Sequence, residues 1–209
     1  MDTIKAQTSA LVLVDYQTRL MPAIHGADQV LGNAQLLAHA ARTLSIPVLG
    51  TEQNPSGLGP NVELVKTECA STVVKTHFDA CADGLLEALD SAKEKCNQIV
   101  IAGCEAHVCM MQTALGLLRA HKRVWVVANA SGSRRIDDHA AAMSRLAQAG
   151  ATVVTHEMVL FEWLHDCKHP RFRDVLTLIK AAERWTGAPI PDAPSLPQGA
   201  IRQSPSPCE

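Results

Sequence analysis

The sequence is poor in aromatic residues, with three Trp, one Tyr and three Phe among 209 positions. It also lacks an excess of positive charge, since 19 Lys and Arg face 21 Asp and Glu for a formal net charge of −2. Nucleic acid is held by basic surface and, when single-stranded, by stacking on aromatic rings, so neither it nor an anionic membrane surface is an expected partner. A small-molecule substrate is expected instead. No apolar run approaches the roughly 18 residues of a membrane span, and MDTIKAQTSALVLVD meets Asp15 after a short apolar stretch. A soluble, cytoplasmic protein follows as the expectation. There is no CxxC pair, which removes the usual signature of a structural zinc site and of a thioredoxin-like dithiol. Glycine-rich phosphate loops, internal repeats and heptads are absent too. No metal or other cofactor is expected. Seven cysteines make an odd number without framework spacing, which predicts free thiols in a reducing compartment.

What the chain does have is 47% apolar residues, enough for the core of one α/β domain over residues 1–185. Six short runs rich in Val, Ile and Leu (ALVLVD, IPVLGTE, STVVK, QIVIAG, RVWVVAN and ATVVTH) alternate with longer segments of helical period. Continuous apolar runs predict strands buried on both faces, as in a parallel sheet covered by helices, so the fold class is a three-layer Rossmann-like α/β fold. QVLGNAQLLAHAARTL and DHAAAMSRLAQAG, the second opening after Asp137 and stopping at Gly150, carry the three- and four-residue apolar steps of covering helices. Six of the eleven prolines lie in the last 24 residues, so residues 186–209 are read as a Pro-rich tail, disordered or loosely packed. The segment QNPSGLGPNVE is the one sizeable loop, of a length that often lines a site.

Ligands of parallel α/β sheets bind beyond the carboxyl ends of the strands. Asp15 ends ALVLVD and Lys75 ends STVVK, both charges placed where burial is costly without a partner or a role. QIVIAG ends at Gly103, and HVCMMQTALGLLRA reads as a helix, so Cys109 falls in its first turn, a setting that stabilises a thiolate. An acid, a cation and a thiol delivered by three strands to one sheet edge are what an activated nucleophile needs. Each also has a structural alternative: Cys109 as an inert buried thiol, Asp15 as a turn cap. Cys104 reads as a small buried hydrophobe or a resolving thiol, and an exposed low-pKa Cys109 could serve redox sensing. His107 is given no catalytic part, and HDCKHP reads as a helix end because Pro170 disfavours helix at His169. Gln53 and Phe78, each close in sequence to a strand's carboxyl end, are candidate walls of a substrate pocket or else packing.

The ordered set LVLVDYQ, PVLGTEQNPSGLGP, VVKTHFDA, GCEAHVCMMQTALGLL and SRRIDDHAAAMSRLAQAGATVVTHEMVLFEWL resembles the isochorismatase-like cysteine hydrolases, especially the isochorismatase domain-containing proteins, from about Thr8 to Ala182. The resemblance implies a catalytic triad of Asp15, Lys75 and Cys109 and a parallel sheet of order 3-2-1-4-5-6. It also implies a cis peptide joining Cys104 to Glu105, which turns the backbone N–H groups of Glu105 and Cys109 toward one point as an oxyanion hole. Nicotinamidases of this superfamily carry metal-binding histidines after the second strand, where TEQNPSGLGPNVE has none, so that function and a bound metal are not implied. Members that hydrolyse isochorismate dispense with the cysteine that is present here. The expected chemistry is therefore hydrolysis of a small amide or related acyl substrate through a thioester. The resemblance implies a homo-oligomer as well, with HEMVLFEWL as candidate interface. Two alternatives stand beside this reading: a non-catalytic binding or regulatory protein on the hydrolase fold, and action on RNA, since some relatives carry a ribonuclease label.

Overall fold

Six strands alternate with helices along the chain in the computed structural model, which describes residues 3–93 and 96–182. Their order is β1 (Ser9–Val14), α1 (Ala27–Thr43), β2 (Val48–Gln53), the single turns α2 (Pro55–Leu58) and α3 (Glu63–Lys66), then β3 (Ser71–Lys75) and α4 (Leu85–Ala92). After these come β4 (Gln98–Gly103), α5 (Met111–Arg119), β5 (Arg123–Val127), α6 (Ile136–Gln148), β6 (Thr152–Val154), α7 (His156–Leu164) and α8 (Phe172–Ala182). The strands form one parallel sheet of order β3-β2-β1-β4-β5-β6, as expected. The Pro-rich segment 186–209 lies outside the described residues.

Alternation along the central strands divides the core into two layers. Leu11, Leu13, Val100, Ala102 and Val127 face one side, where α1, α7 and α8 supply Leu37, Leu160, Trp163 and Leu178. Ala10, Val12, Ile99, Ile101 and Val126 face the other, against Leu85 and Leu89 of α4, Leu117 of α5 and Leu146 of α6. Successive strand side chains point to opposite faces, so a run without polar interruption needs helices on both. Each large apolar side chain buried here contributes about 1.5–3 kcal/mol. Among the described residues no helix is long and apolar enough to cross a membrane.

Two details differ from the sequence reading. ATVVTH is not a strand to its end: Thr155 caps α7, its side chain accepting a hydrogen bond from the Met158 amide, and His156 is the first helical residue. The strand β3 is apolar in part but not buried on both faces; Ser71, Thr72 and Val74 are exposed and Lys75 alone is fully enclosed. It is an edge strand, paired only with β2, so its outer flank has no neighbour to bury it.

The sheet order places β1 and β4 side by side, with β2 departing to one side of β1 and β5 to the far side of β4. Between β1 and β4 the direction of chain progression reverses, which opens a crevice at the carboxyl ends of the strands.

Candidate active site

Asp15 follows the last residue of β1 and takes a left-handed conformation with φ of 55°. Its backbone N–H donates to the Thr51 carbonyl at 3.2 Å. The carboxylate is fully buried and both its oxygens are engaged: Thr51 Oγ1 donates to Oδ1 at 2.6 Å, and Lys75 Nζ donates to Oδ2 at 2.7 Å. Lys75 closes β3 with its side chain wholly inaccessible. A buried ion pair is held only when each charge also has further partners, and Gln53 provides one, its Oε1 accepting from Lys75 Nζ at 2.7 Å. Gln53 lies opposite Lys75 in the β2–β3 register, which is why their side chains meet.

The amide of Gln53 is fixed in orientation. Its Nε2 donates to the Thr76 carbonyl at 2.8 Å, so Oε1 must be the atom turned toward Lys75. Its backbone is held in turn by the side chain of buried Gln17, which accepts from Gln53 N–H at 2.9 Å and donates to the Gln53 carbonyl at 3.0 Å.

Cys109 lies in a π-helical turn, Ala106–Met110, that runs directly into α5. Its Sγ is 4.0 Å from Gln53 Oε1, the same atom that accepts from Lys75 Nζ. Asp15, Lys75 and Cys109 are thereby brought together around Gln53. The ionisation expected from a helix start does not hold in the resting site. Burial first, and then the Asp15 carboxylate, push the Cys109 thiol up to about 12, while Lys75 opposes them. Cys109 rests as a neutral thiol beside an acceptor and a cation.

The turn that carries Cys109 is tied to its surroundings through the backbone. The Cys104–Glu105 peptide is cis. Cys104 N–H donates to the Val14 carbonyl at 2.9 Å, next to Asp15, and Ala106 N–H to the Gly132 carbonyl at 2.7 Å. The Glu105 carbonyl accepts from Val108 and Met110 N–H groups, and its carboxylate is taken by Arg134, through Nε at 2.9 Å and the backbone N–H at 3.2 Å. Gly103 permits the close approach of β1, since a Cβ there would overlap the Val14 carbonyl oxygen. His107 Nδ1 lies 3.0 Å from Ser133 Oγ, a further link between the same two loops. Cys104 is fully buried, its thiol pushed up chiefly by that burial, in keeping with a small core residue.

The two candidate pocket walls fare differently. Gln53 is in the centre of the polar cluster, whereas the Phe78 side chain is 51% exposed and the residue meets α5 through its carbonyl, which accepts from Thr113 Oγ1 at 3.3 Å. Thr51 was not singled out from the sequence, and neither were Gln17 and Arg134. Among the described residues no group of three His, Cys, Asp or Glu is arranged to hold a metal ion.

This edge of the sheet can be set against known proteins. The model of the isochorismatase domain matches residues 9–158, a segment that contains Asp15, Thr51, Gln53, Lys75 and Cys109. The chain belongs to the isochorismatase family. Isochorismatase domain-containing protein 2 of Danio rerio is 35% identical over 184 residues, covering 88% of this chain and 93% of its own. The protein of the same name from Xenopus laevis is 37% identical over 173 residues, covering 83% and 84%. Among solved structures, MAR1 ribonuclease from Caenorhabditis elegans is similar with a TM-score of 0.80 and 32% identity over 96% of this chain and 100% of its own. Membership brings with it the family's hydrolase fold.

Proposed function

We propose that this isochorismatase-family protein is a cysteine-dependent hydrolase of a small amide or related acyl substrate, acting through a thioester on Cys109. The observation that carries the reading is the enclosed cluster in which Lys75 Nζ lies 2.7 Å from both Asp15 Oδ2 and Gln53 Oε1, with Cys109 Sγ 4.0 Å from the same Gln53 oxygen.

The neutral resting thiol sets the order of events. Asp15 accepts the Cys109 proton as sulfur attacks the substrate carbonyl carbon, and Lys75 offsets the negative charge that builds on sulfur. The carbonyl π bond becomes an oxyanion, stabilised by the backbone N–H groups of Glu105 and Cys109. As that intermediate collapses the C–N bond breaks, the leaving amine takes the proton from Asp15, and an acyl-Cys109 thioester remains. Water then attacks the thioester carbonyl, giving one proton to Asp15. Collapse of this second intermediate releases the carboxylic acid, and the proton returns to sulfur. No step calls for a metal or another cofactor.

The test is to incubate the protein with a panel of small amides and activated esters, quench with acid, and look by peptide mass spectrometry for acyl-Cys109. An adduct on Cys109 in the wild type and none in Cys109→Ser is the expected result. Turnover that persists in Cys109→Ser overturns the reading.

A second reading, action on RNA, comes from the name of the C. elegans relative. Cleavage of a labelled RNA, weakened by salt and abolished by Asp15→Asn, is what it requires; the small charge imbalance of the chain opposes it. The proposal further takes the protein to be a cytoplasmic homo-oligomer. Support for assembly is the exposed apolar pair Met158 and Phe161 on α7, 49% and 46% accessible.

A further inference from the structure

From the geometry at the end of β2 we infer that Thr51 is a positioning residue for the base, holding the Asp15 carboxylate in one plane so that it can take the Cys109 proton. The inference rests on the proposed cysteine chemistry and adds to it a residue outside the Asp15, Lys75 and Cys109 set.

Thr51 is entirely buried, and its hydroxyl is spent on Asp15. The separation of 2.6 Å falls in the range of a charge-assisted O–H···O⁻ bond. Its carbonyl is equally committed, accepting from the Asp15 N–H at 3.2 Å and from Asn61 Nδ2 at 3.0 Å. Thr51 thus holds Asp15 at both main chain and side chain. Its place is set by register, since Thr51 is the β2 partner of Val14, the residue before Asp15. As a β-branched residue it has few rotamers available, so the hydroxyl is a fixed donor.

The physical consequence is one of orientation. With Oδ1 tied to Thr51 and Oδ2 to Lys75, rotation of the carboxylate is blocked. Lys75 alone fixes one oxygen and leaves the plane free.

The experiment measures acetylation of Cys109 by 4-nitrophenyl acetate, from acid to mildly alkaline pH, as the burst of 4-nitrophenolate and as acetyl-Cys109 by peptide mass. Wild type, Thr51→Val, Thr51→Ser and Cys109→Ser are compared, with Tm recorded for each. The readout is the rate of acetylation relative to wild type at each pH. Thr51→Val, which keeps the shape and removes the donor, is expected to slow it about tenfold, the size of a lost charge-assisted hydrogen bond. Thr51→Ser, which restores the donor, is expected to return it to the wild-type rate. Thr51→Ala stands in for the valine variant if that one does not fold. A rate that is the same in wild type and Thr51→Val, or that falls equally far in Thr51→Ser, overturns the inference, even if Tm has dropped. A burst that survives in Cys109→Ser has a different meaning: it removes the nucleophile itself, and the role of Thr51 goes with it.

Discussion

Lys75 and Asp15 form an ion pair of 2.7 Å in which neither side chain has any exposure to solvent. Such a pair is weak evidence of stability, because desolvation offsets most of the attraction, but it is costly to break from one side. Lys75→Met is expected to lower the unfolding free energy by about 3–5 kcal/mol, since it leaves the buried Asp15 charge without its counter-ion. The double variant Lys75→Met with Asp15→Asn should recover a large part of that loss. Urea denaturation of the four proteins closes the cycle; a double variant whose loss equals the sum of the two single losses denies the pair its coupling.

Replacing Asp15 separates two properties that usually travel together. The Asp15 carboxylate is the second-largest reason, after burial, that the Cys109 thiol is pushed up to about 12. In Asp15→Asn that repulsion is gone and Lys75 has only the sulfur to balance its charge, so the thiol should titrate at lower pH and alkylate faster with iodoacetamide near neutrality. Acyl transfer should nevertheless fall by two orders of magnitude or more, about the contribution of a general base. Cys69, Cys81, Cys96, Cys104 and Cys167 serve as internal controls in the same digest. Slower alkylation in Asp15→Asn runs against this account of the resting thiol.

Most of the fold is readable because six apolar runs alternate with helical segments, as the strands of a parallel sheet do, and Asp15 and Lys75 are readable because a charge closing such a run needs a reason to be there. Thr51 and Gln53 were harder. Each matters through its partner across a strand pair, Thr51 beside Val14 and Gln53 beside Lys75, and register is a tertiary property that no local pattern carries. In the sequence Gln53 is marked as a candidate pocket wall by its closeness to a strand's carboxyl end, with no sign that its amide would bind the lysine. The thiol of Cys109 is a related case. A helix start stabilises a thiolate by a modest amount, and no local pattern measures the burial and the nearby carboxylate that push the thiol up here. The exposed flank of β3 was hidden because Val73 and Val74 look alike until one knows that the strand is at the edge.

His156 makes stability depend on mild acid. Its imidazole is partly enclosed at the start of α7, where Asn129 Nδ2 lies 2.7 Å from Nδ1 and the Asn129 Oδ1 accepts from the His156 backbone N–H. Burial, opposed by Glu157, moves its pKa below the ordinary 6.5. Above that value both folded and unfolded chains carry a neutral ring, and the residue contributes nothing to pH dependence. As pH falls through 6.5 the unfolded chain binds a proton that the folded chain resists, so stability is lost until the folded value is reached. The drop in Tm between neutral and mildly acidic buffer should be larger in wild type than in His156→Gln. Equal drops would falsify the assignment.

Assembly can be tested on α7 without touching the catalytic cluster. Met158 and Phe161 are three residues apart and therefore neighbours on one helical face, and both are about half exposed while Val159, Leu160 and Trp163 pack inward. Two large apolar side chains left together on an otherwise amphipathic helix are explained most simply by a second copy of the chain seated against them. Light scattering after size exclusion should give the wild type a mass that is a multiple of the monomer. Phe161→Glu combined with Met158→Glu should shift it to the monomer, because a desolvated carboxylate in an apolar interface has no partner. The Asp15, Lys75 and Cys109 cluster lies at the other strands' carboxyl ends, so the monomer should still be acetylated at Cys109. A wild type that is already monomeric at working concentration leaves this face with no role in self-association.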